Sequence, residues 1–366
     1  MAVKLKSDRI LFLTTILLVG LSLVMVYSAS AMVAQERYQQ PYLFLTKQGL
    51  WAVLGLAFLG VVMRIDYRTY REPVFLWSSL GVVLVGLVLV LFSPPVNNAR
   101  RWFAMGGLGI QPSELAKLSA IFFIAALLER RMHRINEVRY SLTPIAVVVA
   151  ILVTLILLEP DFGTSVTLVL IASAMVFAAG LNYRFISTAA LTLVPLVAII
   201  AVAEPYRRSR LPAFLNPWDD PLNTDFQIVQ SLLAVGTGGI SGRGLMNGVQ
   251  KLFYLPYPHT DFIYAVISEE LGLIGATLVL GCFLVIAWRG LRVAVTAPDK
   301  FGALLAIGLT TMVAAQALVN ISVVLGLVPT KGIPLPFVSA GGSSLLVNLI
   351  GMGVLLNVSQ HGSPES

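Results

Sequence analysis

The sequence predicts an all-α protein that crosses a membrane about ten times, and two properties of the chain support this prediction. Hydrophobic residues make up 57% of the chain and charged residues only 12%, whereas soluble domains carry about 25% charged residues. Windows without charged residues recur along the whole length, and each approaches the ~20 residues that cross a hydrocarbon core as a helix. Too few charges remain to cover a water-facing surface, so most of the chain is predicted to lie in lipid.

Eight of the predicted spans are free of charge, and two carry charges inside the window. In chain order they cover residues 10–34, 47–63, 74–99, 111–128, 141–158, 162–183, 185–203, 271–288, 301–330 and 332–360. The first span follows a short basic head but is longer than the apolar region of a signal peptide, so a retained helix is expected. No fixed-period repeat interrupts the series, which predicts one transmembrane domain over residues 1–361 and a disordered tail at 362–366.

The distribution of basic residues predicts the orientation. With the N-terminus inside, the inner segments hold 14 Lys and Arg residues, whereas the short outer segments hold five, namely Arg37, Lys47, Arg100, Arg101 and Lys331. Such an excess marks the cytoplasmic side, so both termini are predicted to be cytoplasmic. The net charge of +7 is then explained by topology, and no nucleic-acid partner is expected. The single cysteine, Cys282, excludes a disulfide framework and a thiol metal cluster.

Two outer loops stand out by length and composition. One large extracellular loop is predicted from about 204 to 260, and its GTGGISGRG stretch lacks the GxxxxGK[ST] pattern of a phosphate loop, so flexible turns are expected there. A second loop, near residues 93–114, is apolar and basic enough to lie in the interface, with Trp102 and Phe103 as anchors at headgroup level.

Ionisable residues inside predicted spans are costly in lipid and are therefore functional candidates. Glu114 and Lys117 are three residues apart on one helix face, where they form either a structural salt bridge or part of a site near the outer surface. Glu159 and Asp161 occupy a short junction between two spans, where either Asp161 or Thr164 caps the next helix, or the two carboxylates hold a cation.

The entrance of the eighth span carries the densest group of such residues. Asp261 is placed either to act as the helix N-cap or, with its pKa pulled in opposite directions by the helix dipole and by burial, as a general base. His259 is a second candidate base, although a lone histidine is more often a structural hydrogen-bonding group. Glu269 and Glu270 are expected to face the interior of the bundle.

Near the C-terminus, Lys331 lies in an outer loop before Gly341 and Gly342, whose backbone amides are predicted to begin the last helix and to favour an anion. No nucleophile elbow, HExxH motif or cysteine cluster occurs, which excludes the common hydrolases and zinc enzymes. The remaining outer carboxylates, cations and aromatic residues suit a lipid-linked anionic substrate.

Five motifs in this order resemble the SEDS family (shape, elongation, division and sporulation) of membrane peptidoglycan polymerases, which includes RodA and FtsW. They are QPSELAKL, EPDFGTS, GGISGRG, LPYPHTDFIYAVISEELG and PTKGIPLPFVSAGGSS. The resemblance covers nearly the whole chain. NPWDDP, HTDFIYAVISEELGLIG and PTKG before PLPF are more similar to FtsW, the division type, than to RodA. The chain departs from the family at Tyr257, where members often have Glu, and at Ala340, where members often have Tyr.

The resemblance implies that the protein is an inverting glycosyltransferase that polymerises lipid II into β-1,4-linked glycan at the outer face of the bacterial cytoplasmic membrane, at the division septum. Asp261 would be the base that deprotonates the acceptor hydroxyl. It further implies a divalent cation (Mg or Mn), a class B penicillin-binding protein as transpeptidase partner, and divisome membrane proteins. The candidate substrate-binding residues are Arg100, Arg101, Trp102, Gln111, Glu114, Lys117, Lys251, His259, Lys331, Ser339, Gly341 and Gly342. Arg100, Arg101, Lys117 and Lys331 are the candidates for the diphosphate, and the weak metal candidates are Glu159 and Asp161.

Three other functions remain open at this stage. A lipid II flippase or transporter would bind its substrate near the midplane, often between inverted repeats, whereas the ionisable groups here lie in the outer turns. An elongation-type polymerase would do the same chemistry in another process. A structural scaffold would give no reason for the costly buried charges.

Overall fold

The computed structural model describes residues 7–95, 99–105, 108–182, 184–185, 187–188, 191, 217–218, 220, 225–252, 254–329 and 332–362. Its regular elements in chain order are α1 (Arg9–Tyr38), α2 (Leu43–Val62), α3 (Pro73–Val90), β1 (Phe103–Met105), β2 (Leu108–Ile110), α4 (Pro112–Arg131), α5 (Val138–Leu158), α6 (Phe162–Ala178), α7 (Phe226–Gly238), α8 (Ile263–Thr296), α9 (Lys300–Val324) and α10 (Gly342–Ser359). Two 3₁₀ turns, Tyr67–Arg71 and Met132–Arg134, link helices on one side.

The all-α membrane fold is confirmed, with seven described helices long and apolar enough to cross a membrane. The more highly charged α4 and the shorter α6 occupy two further predicted spans, and the seventh predicted span, 185–203, lies largely outside the described residues. Some predicted boundaries were wrong. The last helix begins at Gly342 rather than near 332, because Pro334 and Pro336 lack the amide hydrogen that a helix interior needs.

Both described ends of the chain lie on one side of the bundle. The backbone N–H of Asp8, which precedes α1, donates to Ser359 Oγ at the end of α10 at 3.1 Å. The Asp8 carboxylate also pairs with Arg289 in the second half of α8, at 2.7 Å. This is the side that the basic residues mark as cytoplasmic. Residues 363–366 of the predicted tail are outside the described residues.

Helix α9 lies at the centre of the bundle and packs against α4, α6, α8 and α10. Close packing there depends on small residues, as expected where lipid removes the hydrophobic driving force between helices. A Cβ on Gly308 would lie 2.7 Å from Met175 Sδ and 2.8 Å from Ile121 Cγ2. The centre of the bundle therefore holds α4 and α6 tightly on α9, with their N-terminal ends on the outer side.

The segment predicted as one large extracellular loop contains a helix, so that part of the prediction was wrong. Helix α7 packs against α8 and α9, and Ser231 Oγ donates to the carbonyl of Val324 at 2.8 Å. Its 13 residues are too few to span a bilayer. Helix α8 begins at Ile263, close to the predicted helix entrance at Asp261 although before the charge-free window of 271–288, and it breaks at Gly272.

Candidate functional site

The outer end of α4 carries a buried ion pair. Lys117 Nζ lies 3.0 Å from both carboxylate oxygens of Glu114, and both residues are almost fully buried. The same ammonium donates to Gln316 Oε1 on α9 at 3.2 Å. The predicted pairing of Glu114 with Lys117 is confirmed, and Gln316 links the pair to the central helix.

The junction between α5 and α6 places a second carboxylate beside α4. Asp161 is the N-cap of α6, where it accepts from Thr164 N at 3.2 Å and from Thr164 Oγ1 at 2.8 Å. Gln111 Nε2, at the start of α4, also donates to Asp161 at 2.9 Å. The capping role predicted for Asp161 is therefore confirmed, and the cap joins the starts of α4 and α6.

Glu159, at the end of α5, is the contrasting carboxylate of this junction. It is fully buried, and within the described part of the chain neither carboxylate oxygen has a hydrogen-bond partner. Burial raises its pKa to about 8, assisted by the negative charge of Asp161 and opposed by Arg101. The Arg101 guanidinium donates to the carbonyls of Glu159 and Pro160 rather than to the carboxylate.

The residues around this junction do not fit a divalent cation. A site for Mg²⁺ or Ca²⁺ normally gathers several oxygen ligands. No group of three or more His, Cys, Asp or Glu residues that could hold a metal occurs among the described residues. Asp161 already accepts hydrogen bonds from Thr164 and Gln111. No catalytic step is therefore assigned to a cation at Glu159 and Asp161.

Side chains from two other elements bind the backbone of the segment that carries Asp261. Asn320 Nδ2 on α9 donates to the carbonyls of Asp261 at 2.8 Å and Ile333 at 2.7 Å. Ser339 Oγ donates to the carbonyl of Thr260 at 2.6 Å. The Asp261 carboxylate lies over Gly332, where an added Cβ would come 2.8 Å from Oδ2. The N-cap of α8 is Phe262, so the alternative prediction of Asp261 as N-cap was wrong.

Helix α9 brings these groups into one region. Gln316 and Asn320 are four residues apart and therefore lie on one face, about 6 Å apart along the helix. Gln316 contacts the Lys117 pair and Asn320 contacts the Asp261 segment. Gly163 at the start of α6 packs against Ile333, where an added Cβ would lie 2.7 Å from Cγ1. Helix α9 thus contacts both the Asp261 segment and the Lys117 pair of α4, and the start of α6 contacts Ile333, whose carbonyl shares the Asn320 amide with that of Asp261.

His259 lies at the edge of this region. Its ring packs on Phe44 of α2 with centroids 4.5 Å apart, and its Nδ1 is buried with no partner among the described residues. Burial, assisted by the positive charge of Arg37, lowers the pKa of His259 to about 4. The imidazole is therefore neutral at physiological pH.

The remaining predicted site residues divide between the surface and the interior. Arg100 is exposed and donates to the carbonyl of Leu91 at 2.9 Å. Trp102 packs on Gly109 in the hairpin of β1 and β2, and Gly341 and Gly342 begin α10 as predicted. Lys251, a candidate substrate-binding residue, is buried and pairs with Glu270 at 2.6 Å. Lys331 lies outside the described residues.

Sequence reasoning missed Gln316 and Asn320. Both are uncharged polar residues within an apolar span, and both are buried against the site. Their four-residue spacing on one helix face was the signal that could have revealed them. Polar side chains inside membrane helices usually bond to neighbouring helices, which is how both act here.

Comparison with known proteins decides the family. A model described as "Cell cycle protein", covering the FtsW, RodA and SpoVE proteins, matches residues 8–363. The chain belongs to this family. It is 44% identical to the probable peptidoglycan glycosyltransferase FtsW of Geobacter metallireducens, covering 98% of this chain and 96% of that protein. It is 43% identical to the stage V sporulation protein E of Bacillus subtilis, covering 98% of each chain.

Solved structures of family members have the same fold. A chain from a peptidoglycan synthase complex that coordinates polymerisation and crosslinking superposes with a TM-score of 0.78 at 30% identity, covering 96% of this chain and 97% of that chain. RodA of Thermus thermophilus superposes with a TM-score of 0.73 at 27% identity, covering 98% of each chain. The resemblance to the SEDS family is therefore confirmed over nearly the full length, and the protein is a multi-pass membrane protein.

Proposed function

We propose that this protein is a peptidoglycan glycosyltransferase that polymerises lipid II into β-1,4-linked glycan strands at the outer face of the bacterial cytoplasmic membrane. One observation in the structure carries the proposal. The Asp261 segment and the buried Glu114–Lys117 pair are attached to the same face of α9, at the bundle end opposite the termini. A carboxylate and an ammonium are thereby brought to the same region of the outer side.

The reaction needs these two charges. The new bond forms between a sugar hydroxyl oxygen and the anomeric carbon of a second sugar, and the bond from that carbon to the undecaprenyl diphosphate breaks. In the proposed mechanism, Asp261 accepts the proton of the attacking hydroxyl. Lys117, with Arg100, Arg101 and Lys331 as further candidates, stabilises the negative charge on the departing diphosphate. Glu114 and Gln316 hold the Lys117 ammonium in place.

A lipid flippase is the alternative from another functional class. Transporters generally bind substrate near the bilayer midplane at discontinuous helices. In this protein the break in α8 lies in its outer part, and the ionisable site groups lie at outer helix ends. Their location favours chemistry at the outer surface.

The relatives support a cellular process and partner proteins for this protein. The FtsW relatives support a role in division at the septum. The similarity to a chain from a complex that combines polymerisation with crosslinking supports a class B penicillin-binding protein as partner. Divisome membrane proteins are further proposed partners.

The test is strand synthesis by purified protein. The protein is combined with a class B penicillin-binding protein and fluorescent lipid II, and the products are separated by gel. We expect long strands from the wild type and a loss of about 10²-fold or more with Asp261→Asn, which cannot accept the proton. Asp66→Asn on the cytoplasmic side is the matched control and should retain activity.

Two outcomes would contradict the proposal. Full strand synthesis by Asp261→Asn would exclude Asp261 as the base. Absence of polymer from active complexes, together with movement of labelled lipid II across liposomes, would favour the flippase. Filamentous growth after depletion supports the division role, whereas rounding of rod-shaped cells supports elongation.

A further inference from the structure

Helix α8 is two helical segments joined at Gly272. This residue has φ 65° and ψ −163°, a conformation that only glycine adopts readily. The first segment, Ile263–Leu271, is about 13 Å long at 1.5 Å per residue and begins immediately after Asp261 and Phe262. Its far end is the break, so whatever fixes the break also fixes the orientation of the segment that follows Asp261.

An outer stretch of chain fills the break. Residues 239–251, named here the anchor segment, supply hydrogen-bond partners for the backbone groups that the break leaves free. The amides of Arg243 and Gly244 donate to the carbonyls of Glu269 and Glu270, both at 3.0 Å. The amide of Leu273 in turn donates to the carbonyl of Gly239 at 2.9 Å. Since unpaired backbone groups are costly in lipid, these bonds stabilise the broken helix.

The approach is close enough to require glycine. A Cβ on Gly242 would lie 2.1 Å from the carbonyl oxygen of Glu270, and one on Gly238 would lie 1.9 Å from that of Ser268. The sequence analysis expected the glycines of GTGGISGRG to provide flexible turns, and that expectation was wrong. These glycines allow the backbone to reach the helix rather than to move freely.

Two buried glutamates fasten the anchor segment from the helix side. Glu269 accepts from the backbone amide of Val249 at 2.8 Å, and Glu270 accepts from that of Met246 at 3.1 Å. Glu270 also pairs with Lys251 Nζ at 2.6 Å and accepts from Ser28 Oγ of α1 at 2.7 Å. Lys251 Nζ in turn donates to Ser28 Oγ at 2.9 Å, which closes a buried triad.

We propose that Lys251 and Glu270 are positioning residues, which hold the outer segment of α8 against α1 and thereby set the position of Asp261. This inference rests on the proposed role of Asp261 as base. The other side of Asp261 is already fixed, because Asn320 and Ser339 bind the backbone of Asp261 and Thr260. The carboxylate thus lies between two attachments, one at α9 and the other at the break.

The energetics agree with this role. A buried ion pair is weak support for stability, because removing two charges from water costs about as much as their attraction returns. Glu270 is fully buried and Lys251 nearly so. The geometry of the triad is specific, since one carboxylate joins α1, the anchor segment and α8. Displacing a reacting group by about 1 Å can reduce turnover about 10²-fold. A triad that fixes the position of α8 can therefore maintain the catalytic rate.

The test separates positioning from stability. Lys251→Met and Glu270→Gln are assayed as complexes with the penicillin-binding protein, and each rate is divided by the amount of folded protein. We expect kcat to fall about 10- to 100-fold with KM for lipid II changed by less than about twofold. The pH profile of kcat should also shift on its acid limb, because the surroundings of Asp261 change. Lys251→Arg, which keeps the charge, should restore most of kcat.

Arg289→Met is the matched control. Arg289 joins α8 to Asp8 just before α1 at the cytoplasmic end, with the shortest distance at 2.7 Å. Its loss should lower the melting temperature and leave kcat unchanged. The double variant Lys251→Met with Glu270→Gln leaves no unpaired buried charge, so it serves if either single variant fails to fold, and its kcat should also fall.

The inference is overturned if the double variant keeps the wild-type kcat and pH profile, or if Arg289→Met lowers kcat equally. A failure of the proposed function itself looks different. In that case the wild type makes no strands, or Asp261→Asn retains full activity, whatever the Lys251 variants do.

Discussion

The ion pairs at the two ends of the bundle differ in exposure. At the cytoplasmic end, the side chains of Arg68 and Asp299 are 34% and 24% exposed, at an N–O distance of 3.0 Å. At the outer end, those of Lys117 and Glu114 are 1% and 3% exposed at the same distance. Ion pairs open to water contribute little to folding stability and require little desolvation. Buried pairs carry a desolvation penalty of several kcal/mol per ion. A charge retained at that cost is a functional candidate. The two most deeply buried pairs among the described residues, Lys117–Glu114 and Lys251–Glu270, lie at the outer end, whereas the side chains of the cytoplasmic pair Arg289–Asp8 are 17% and 5% exposed.

Unsatisfied polar atoms show the same asymmetry. Among the described residues, the buried side-chain atoms without a hydrogen-bond partner include both carboxylate oxygens of Glu159, His259 Nδ1 and Asn320 Oδ1. All three residues belong to the outer end, whereas Thr310 Oγ1 and Asn348 Oδ1, which also lack a partner among the described residues, lie inside α9 and α10. At the cytoplasmic end, Tyr67 donates its hydroxyl to Asp299 and its backbone amide to Asn357. The cytoplasmic contacts of Tyr67 are therefore satisfied, whereas these outer side chains carry buried polar atoms without a partner among the described residues.

Lys117→Met should have the largest effect, because it leaves the Glu114 carboxylate buried without its cation. We expect a loss of about 3–5 kcal/mol in stability and a loss of strand synthesis of about 10²-fold or more. Thermal unfolding in detergent and the gel assay measure the two effects. Lys117→Arg, which keeps the charge, is the control. Unchanged synthesis in Lys117→Met would remove this pair from the proposed mechanism.

Glu159→Gln should change how stability depends on pH. Burial raises the folded-state pKa of Glu159 from 4.5 to about 8, so the folded protein keeps a proton that the unfolded chain releases. Its contribution to stability is present below about pH 4.5 and is lost as pH rises through 8. We expect the variant, which cannot ionise, to be more stable than the wild type at pH 9 and to lose less stability between pH 6 and 9. If the melting temperatures of variant and wild type changed equally between pH 6 and pH 9, the raised pKa of Glu159 would be contradicted.

Tyr67→Phe tests the contacts of Tyr67 at the cytoplasmic end. It removes the 2.6 Å hydrogen bond to the Asp299 carboxylate, and a bond to a charged group contributes about 1.5–3 kcal/mol. The melting temperature should fall while strand synthesis per folded molecule stays unchanged. A specific loss of synthesis would show that the two ends are coupled and would break the contrast between them.

Glu129→Gln should have the smallest effect. Glu129 pairs with Arg71 at 3.3 Å on the cytoplasmic side, and the two side chains are 22% and 46% exposed. Surface pairs of this kind contribute about 0–1 kcal/mol. Melting temperature and synthesis should both stay close to wild type. A large loss of stability or of synthesis would mean that the exposure of an ion pair does not distinguish the two ends of the bundle.

The sequence alone predicted the membrane fold, the placement of both termini on one side of it and the Glu114–Lys117 pair. Each depends on local information, namely the length of an apolar window, the charge count of a loop, or two residues three apart on one helix face. Even there the boundaries needed the structure. The sequence does not reveal the break of α8 at Gly272, because backbone geometry leaves little trace in composition.

Only the tertiary structure decided which distant groups meet. Gln316 and Asn320 connect the Lys117 pair with the Asp261 segment, and Lys251 meets Glu270 and Ser28. These contacts depend on which helices pack together and at what depth, and neither can be read from the spacing of residues within one helix. The physical reason is that a span is specified by its own apolar residues, whereas the site is specified by a few polar side chains that bond between helices.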